Sequence, residues 1–338
     1  MKIPRITRVL LIAFAGLFLA ACAAPAASQR KPDLTIYSGR SESLVGPIIA
    51  QFEAASGLKV AVRWGSTSEL AATLLEEGAR SPADLFYAQD PGGLGAVEDL
   101  LSVLPVETLN KTPAGFHDSQ GRWVGISGRA RVVAYNTERL TPEDLPADIW
   151  DFSDPVWQNR LGWAPTNASL QTMVTAMRLY WGEEKTRQWL EGIRANSPVV
   201  YDNNTAIVAA VAAGEIEAGF VNHYYLYRFL QEEGEGFPAR NYFLPGGGPG
   251  SLVMVSGAGI LETAQNRDAA IKFLEFLLSP VAQQYFTTQT YEYPVVEGVI
   301  VPPQLPALDT LPQLPLDVAD LADLQGTVDL LRATGVLP

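Results

Sequence analysis

The sequence predicts an α/β protein of two lobes with a cleft between them, and three observations carry that expectation. From residue 34 to 88, short strand patterns alternate with helix patterns as β-α-β-α-β, which implies a parallel sheet with helices on both faces. A second alternation of helices and strands fills residues 170 to 221. Ser251 to Ser256 then reads as a strand returning to the first half. A chain that crosses between two such lobes places a cleft at the carboxyl ends of strands. Hinge closure over a ligand is the motion this architecture allows.

The elements follow in order from the N-terminus. Met1 to Arg8 carry Lys2, Arg5 and Arg8 and no acid, and an apolar run continues to Ala21. This is a signal-peptide pattern over 1–21, too short for a confident membrane span. Leu19-Ala20-Ala21-Cys22 resembles the lipobox of bacterial lipoproteins, with Cys22 as the lipidated mature N-terminus. Residues 22–32 read as a tether rich in Ala, Pro and Ser. Stable anchoring of this kind needs more than one acyl chain. Cys22 is the only cysteine, so the chain has neither a disulfide framework nor a thiolate metal site.

Leu34 to Tyr37 is a strand pattern, and Glu42 to Ser56 a helix stopped by Gly57. Lys59 to Trp64 is a second strand. Ser66-x-x-Glu69 has capping-box spacing and opens a helix through Glu77, closed by Gly78. Asp84 to Ala88 is the third strand. A strand near Arg131 to Tyr135 leads into helices at about 170–181, 184–195 and 205–213, with strands at Val199 to Tyr201 and Ala218 to Val221. Asp268 to Leu278 is strongly amphipathic. The segment from Val301 is rich in Pro and Leu, with a last helix near 321–333. The expected lobes are 33–131 with 254–305, and 132–253 with 306–338.

Charge excludes some partners. The formal net charge is −13. The chain without 1–21 has 21 basic against 37 acidic side chains, or −16. Nucleic acid is an unsuitable partner for such a surface. The only histidines are His117 and His223, and there is no Gly-x-Ser-x-Gly elbow, Walker loop or His-Glu-x-x-His. Gly246 to Gly250 is Gly-rich but precedes a strand, which fits a hinge or turn better than a phosphate loop.

Few residues carry chemistry. Asn222-His223-Tyr224-Tyr225 follows a predicted strand. Adjacent tyrosines on a strand point to opposite faces, but at a loop or helix start they can converge. Phenolate oxygen is a hard ligand suited to Fe³⁺, which would deprotonate a phenol well below its free pKa of about 10. Thr166-Asn167-Ala168-Ser169 and Asn203-Asn204-Thr205 each precede a helix. Helix starts present free N–H groups and a positive dipole end, so each can cap its own helix or receive an anion.

These stretches resemble the periplasmic ferric-binding proteins of ABC-type iron importers. The resemblance rests on Ile36-Tyr37-Ser38-Gly39, on residues 78–87, on Ser127 to Val133, on Asn222 to Tyr225 and on Glu292-Tyr293-Pro294, all in order across most of the chain. It implies a two-lobed type II periplasmic-binding-protein fold, ferric iron as cargo, and delivery to a membrane permease and its ATPase by a monomer outside the cytoplasm. It also implies that Tyr224 and Tyr225 are iron ligands. Residues 166–169, Asn204 and Asn222 would lie near a synergistic anion such as carbonate or phosphate. The chain departs from the pattern where known members carry a histidine ligand, showing Arg40-Ser41, and where they carry a glutamate, showing Gln89-Asp90. Arg40 suits an anion clamp, with Ser41 beside it. Asp90, Gln89 and Tyr37 are further metal candidates, and Arg129 a further anion candidate. A binding protein for a polyamine, thiamine or phosphonate in the same fold is the nearest rival, and a lipoprotein enzyme or adhesin the more distant one.

Overall fold

The computed structural model describes residues 31–338 except 313, 315, 317–319 and 322. The expected signal peptide, Cys22 and all but the end of the tether lie outside the described residues.

β1 (Leu34–Ser38) runs parallel to both β2 (Val60–Trp64) and β3 (Leu85–Ala88). Between them lie α1 (Glu42–Ser56) and α2 (Thr67–Glu77). Gly57 closes α1 in the left-handed conformation, φ 71°, with its N–H on Glu53 O. Ser66 opens α2 by accepting from Glu69 N at 3.2 Å, the cap its spacing predicts. The short helices α3 (Pro91–Ala96) and α4 (Val106–Leu109) follow.

β4 (Val124–Asn136) is longer than the sequence suggests, thirteen residues and every one buried. β5 (Leu161–Trp163), α5 (Ala168–Trp181), α6 (Glu183–Ala195), β6 (Val199–Val200), α7 (Asn204–Ala212), β7 (Ala218–Asn222), α8 (Tyr224–Glu233) and β8 (Ala239–Tyr242) come next. β9 (Val253–Ile260), α9 (Arg267–Leu277), α10 (Pro280–Gln289) and α11 (Leu324–Ala333) complete the described strands and α-helices.

The strand order is β2-β1-β3-β9-β4-β7-β5-β6, with β8 also on β4. The parallel arrangement expected from the first βαβαβ run holds for β1 to β3 and again for β7, β5 and β6. It does not hold in the middle. β9 is antiparallel to β3 and β4, and β4 is antiparallel to β7 and β8. β4 and β9 are the crossing strands. They run against their neighbours because each carries the chain from one half to the other. A Pro- and Gly-punctuated sequence with strands this far apart gives no local signal of direction.

Two large cores lie on either side of these strands. One gathers β1 to β3 with α1, α2, α9 and α10, around Phe52, Phe86, Phe273 and Phe286. The other gathers β5, α5 and α6, around Phe152, Trp163, Met173, Trp189 and Phe220. A smaller cluster lies under α7 and α8.

Candidate functional site

β7 ends at Asn222, and α8 opens two residues later with Tyr224 and Tyr225. On a strand the pair would diverge; at a helix start successive side chains lie about 100° apart and can share one face. Their rings stack at 4.3 Å between centroids and 27° between planes. Tyr224 is fully buried, yet its hydroxyl has no hydrogen-bond partner. Tyr225 remains partly exposed. Burial, and next the neighbouring Tyr224, pushes the Tyr225 phenol well above its ordinary value.

Three buried guanidiniums surround the pair: Arg40, Arg129 and Arg131. Arg40 follows β1 and places Nη2 at 2.7 Å from both carboxylate oxygens of Glu292. Thr290 Oγ1 donates to the same carboxylate at 3.0 Å. Burial opposes the Arg40 charge, but Glu292 and the nearby tyrosines outweigh it and hold the group above its ordinary value. Arg129 and Arg131 sit two residues apart on β4 and therefore point to the same face. Arg129 donates through Nη2 to the carbonyl of Gln89. Its Nε and Nη1 are buried without partners. Arg131 Nη1 donates to Asn222 Oδ1 at 2.9 Å and Asn204 Oδ1 at 3.4 Å, while its Nε and Nη2 are buried without partners. Burial pulls the Arg131 guanidinium down to about 9 with no carboxylate set against it. A guanidinium stays charged in proteins, so the direction of this shift reflects an uncompensated cost of holding the cation there.

The helix starts complete the cluster. Ser169, in the first turn of α5, is buried and accepts from Asn222 Nδ2 at 3.0 Å and from Gln89 Nε2 at 3.2 Å. Asn204 opens α7 and accepts Asn222 N at 2.8 Å. Ala168 contributes only backbone, as the first residue of α5. Asp90 is buried at the cap of α3, accepting Gly93 N at 3.3 Å through Oδ1, while Oδ2 has no partner. Burial raises its carboxyl, and Arg129 opposes that rise.

Tyr37, Ser41 and Thr166 are not brought into this cluster. The Tyr37 hydroxyl donates to the Glu77 carboxylate at 3.0 Å and lies 3.4 Å from Arg63 Nη1, so Glu77 and Arg63, not the tyrosine pair, occupy it. Ser41 is exposed, with Oγ 3.3 Å from Ser43 Oγ. Thr166 is exposed in the turn before α5. Asn167 caps that helix, accepting Ser169 N at 3.1 Å, and its side-chain oxygen is thereby used. His223 is held on both ring nitrogens: Nδ1 accepts Ala130 N at 3.1 Å and Nε2 donates to Tyr291 O at 2.6 Å. It orients α8 rather than facing a ligand.

Arg131, Glu292 and Tyr87 belong to the cluster; they lie in stretches that carry the resemblance but were not among the candidate site residues. Tyr87 is fully buried on β3 without a hydroxyl partner, and burial raises its phenol to about 12. A signal existed for Arg131. Two arginines at period two inside an otherwise apolar strand cannot be a solvated face. Glu292 lies far from Arg40 in sequence, and no local pattern joins them.

The arrangement offers two phenols, unpartnered nitrogens on three guanidiniums and two helix N-termini to a small ligand. Residues 82–318 match the family model of the bacterial extracellular solute-binding proteins. The chain is 33% identical over 323 residues to the major ferric iron-binding protein of Neisseria meningitidis serogroup B, covering 94% of this chain and 97% of that one. Its fold superposes on iron-bound HitA from Pseudomonas aeruginosa with a TM-score of 0.86 and 34% identity, covering 89% of this chain and 99% of that chain. It is also similar to a Trichodesmium protein (IdiA, FutA) solved with iron and citrate ligands: TM-score 0.78, 30% identity, coverage 89% and 99%.

Proposed function

The chain belongs to the bacterial extracellular solute-binding protein family, and from that premise we propose that it captures ferric iron together with a small anion and delivers it for import. It is a binding protein and not an enzyme.

The observation that carries the reading is the tyrosine pair set against unpaired buried arginines. Tyr224 and Tyr225 supply hard phenolate oxygens from one helix start. A ferric ion with two tyrosinates keeps one positive charge. Arg40 is neutralised by Glu292, but Arg129 and Arg131 add two more charges, and Asp90 is pushed toward its neutral form. A site this positive calls for a multivalent anion beside the metal, such as carbonate or phosphate. The free nitrogens of Arg40, Arg129 and Arg131 and the starts of α5 and α7 are the places to receive it. Asp90 completes or flanks the shell. The charge also disfavours a polyamine or thiamine, which would bring more cation to the cluster.

The import partners in this reading are a membrane permease and its ATPase. The protein works as a monomer outside the cytoplasm, anchored through Cys22. Residues 33–131 with 254–305, and 132–253 with 306–338, move as its lobes. Export is tested by Cys22→Ser, which should leave the protein unlipidated and outside the detergent-extracted membrane fraction.

The cargo is tested by colour. Ferric phenolate absorbs visible light by charge transfer. Protein loaded with ferric citrate and then desalted should be coloured and carry about one iron per chain, as one paired site requires. A colourless, iron-free product would favour an oxyanionic solute, such as a phosphonate, held by the same arginines.

A further inference from the structure

Gln89 occupies a place that nothing in the metal chemistry explains. It follows β3, whose residues belong to the core of β1 to β3, and precedes the cap of α3. Its backbone is fixed at both ends. Gln89 N donates to Thr67 Oγ1 at 3.0 Å, and its carbonyl accepts from Arg129. Only the side chain is left to reach outward, and Nε2 donates to Ser169 Oγ at 3.2 Å.

Ser169 belongs to the other core. It lies in the first turn of α5, whose Leu170, Met173 and Met177 pack around Trp189. Its hydroxyl oxygen also accepts from Asn222 Nδ2, and Asn222 Oδ1 in turn accepts from Arg131. Hydrogen bonds therefore form a line from Thr67 to the Gln89 backbone, and from the Gln89 side chain through Ser169 and Asn222 to Arg131. That line starts on the scaffold of the first core and ends beside the tyrosine pair. A neutral amide is a poor ligand for a hard trivalent cation. Here the amide nitrogen is aimed at a serine and not at the phenols.

We propose that Gln89 is a latch residue: its amide ties the β3 loop to the start of α5, holds the cleft shut over the cargo and sets how slowly the cargo leaves. The proposal rests on the ferric reading for its cargo but not for its contact. The bond exists only when the two cores are as close as they are here. Breaking it leaves the ligand oxygens of Tyr224 and Tyr225 where they are. Release should therefore change while the metal's electronic environment does not.

The experiment loads wild type, Gln89→Ala, Gln89→Met and Ser169→Ala with ferric citrate and follows decay of the visible band in excess chelator. Gln89→Met keeps the length of the side chain without the donor. All three variants should release iron faster, by several-fold to about tenfold, the range of one net hydrogen bond. The band maximum of Gln89→Ala and Gln89→Met should stay at the wild-type position. The Gln89→Ala/Ser169→Ala double variant should be no faster than the quicker single, because both remove the same bond. A shifted band in Gln89→Ala would show direct ligation and overturn the latch. An unchanged release rate in Gln89→Met and Ser169→Ala would also overturn it. If wild type itself takes up no iron, the ferric reading fails, and the latch is scored by small-angle scattering of the unloaded proteins. Gln89→Ala and Ser169→Ala should then have larger radii of gyration than wild type; equal radii overturn the latch.

Discussion

Tyr224 and Tyr225 show how a residue pair becomes a site only through its position in an element. The tyrosines were legible in the sequence, and so was their place after a strand. Their stacking and the missing partner of the Tyr224 hydroxyl were not, because these depend on what surrounds α8. Tyr224→Phe and Tyr225→Phe each remove one oxygen and keep the ring. Each should bleach or shift the charge-transfer band and weaken ferric binding by more than about a hundredfold, beyond the range of losses from groups that only support a ligand. The fold should lose little, since the Tyr224 hydroxyl makes no hydrogen bond to lose. Either variant with full colour and affinity would remove the paired-ligand assignment. Arg131 makes the opposite trade. Its buried charge has no carboxylate, so Arg131→Met should stabilise the unloaded protein by on the order of 1 kcal/mol or more, read from denaturant melts, while weakening anion-dependent loading. Equal stability and equal loading in the variant would show that this cation serves no ligand.

At the scale of elements, the loops after β1 and β3 are packed too closely for ordinary side chains. A Cβ on Gly39 would lie 2.2 Å from Thr67 Oγ1 and 2.9 Å from its Cα, and one on Gly93 would lie 2.1 Å from Thr67 Cγ2. Thr67, the first residue of α2, is thus wedged between the Arg40 loop and α3, and it fixes Gln89 N. Gly39→Ala must displace backbone. It should destabilise the protein by about 1–3 kcal/mol, the usual cost of overpacking, and also speed iron release by moving the Gln89 loop. Denaturant melts and the chelator assay measure the two effects, and an undisturbed variant would mean that the loop yields freely. The same packing explains why this part of the site was hard to foresee. Helix caps at Ser66, Asn167 and Asn203 follow from local spacing and appear where the sequence placed them. The helical character of Tyr224 to Glu233 and Pro280 to Gln289 was obscure. The first is aromatic on all sides of its first turn, and the second alternates polar and apolar residues without a clear stripe. The pairing of Arg40 with Glu292, 252 positions apart, had no local trace.

At the scale of the whole molecule, the site exists only while distant segments stay together. Arg40 and Gln89 come from the β1 and β3 loops, Arg129 and Arg131 from β4, and the tyrosines from α8. The fold class was readable because alternation of strands and helices is a local pattern. The direction of β4 and β9 was not, since their pairing is decided by contacts between segments far apart in the sequence. In the proposed reading, assembly from several segments ties cargo binding to closure. It also ties binding to protons, and the sign can be worked out. In the unloaded protein the Tyr225 phenol is held above its ordinary value by burial, so near neutral pH it carries its proton. A metal-bound tyrosinate has lost that proton, and the same applies to Tyr224 as a ligand. Loading should therefore release about two protons, one from each phenol, and each makes affinity fall about tenfold per pH unit on acidification. Binding is favoured as pH rises and lost as it falls. Loading in weak buffer with a pH indicator should count the protons, and chelator competition at pH 6, 7 and 8 should show affinity falling about a hundredfold per unit toward acid once the chelator's own protonation is subtracted. Tyr224→Phe and Tyr225→Phe should each release one proton fewer. Iron uptake with no proton release would mean that the phenols stay neutral, and the cargo would then be held by the arginines through its anion alone.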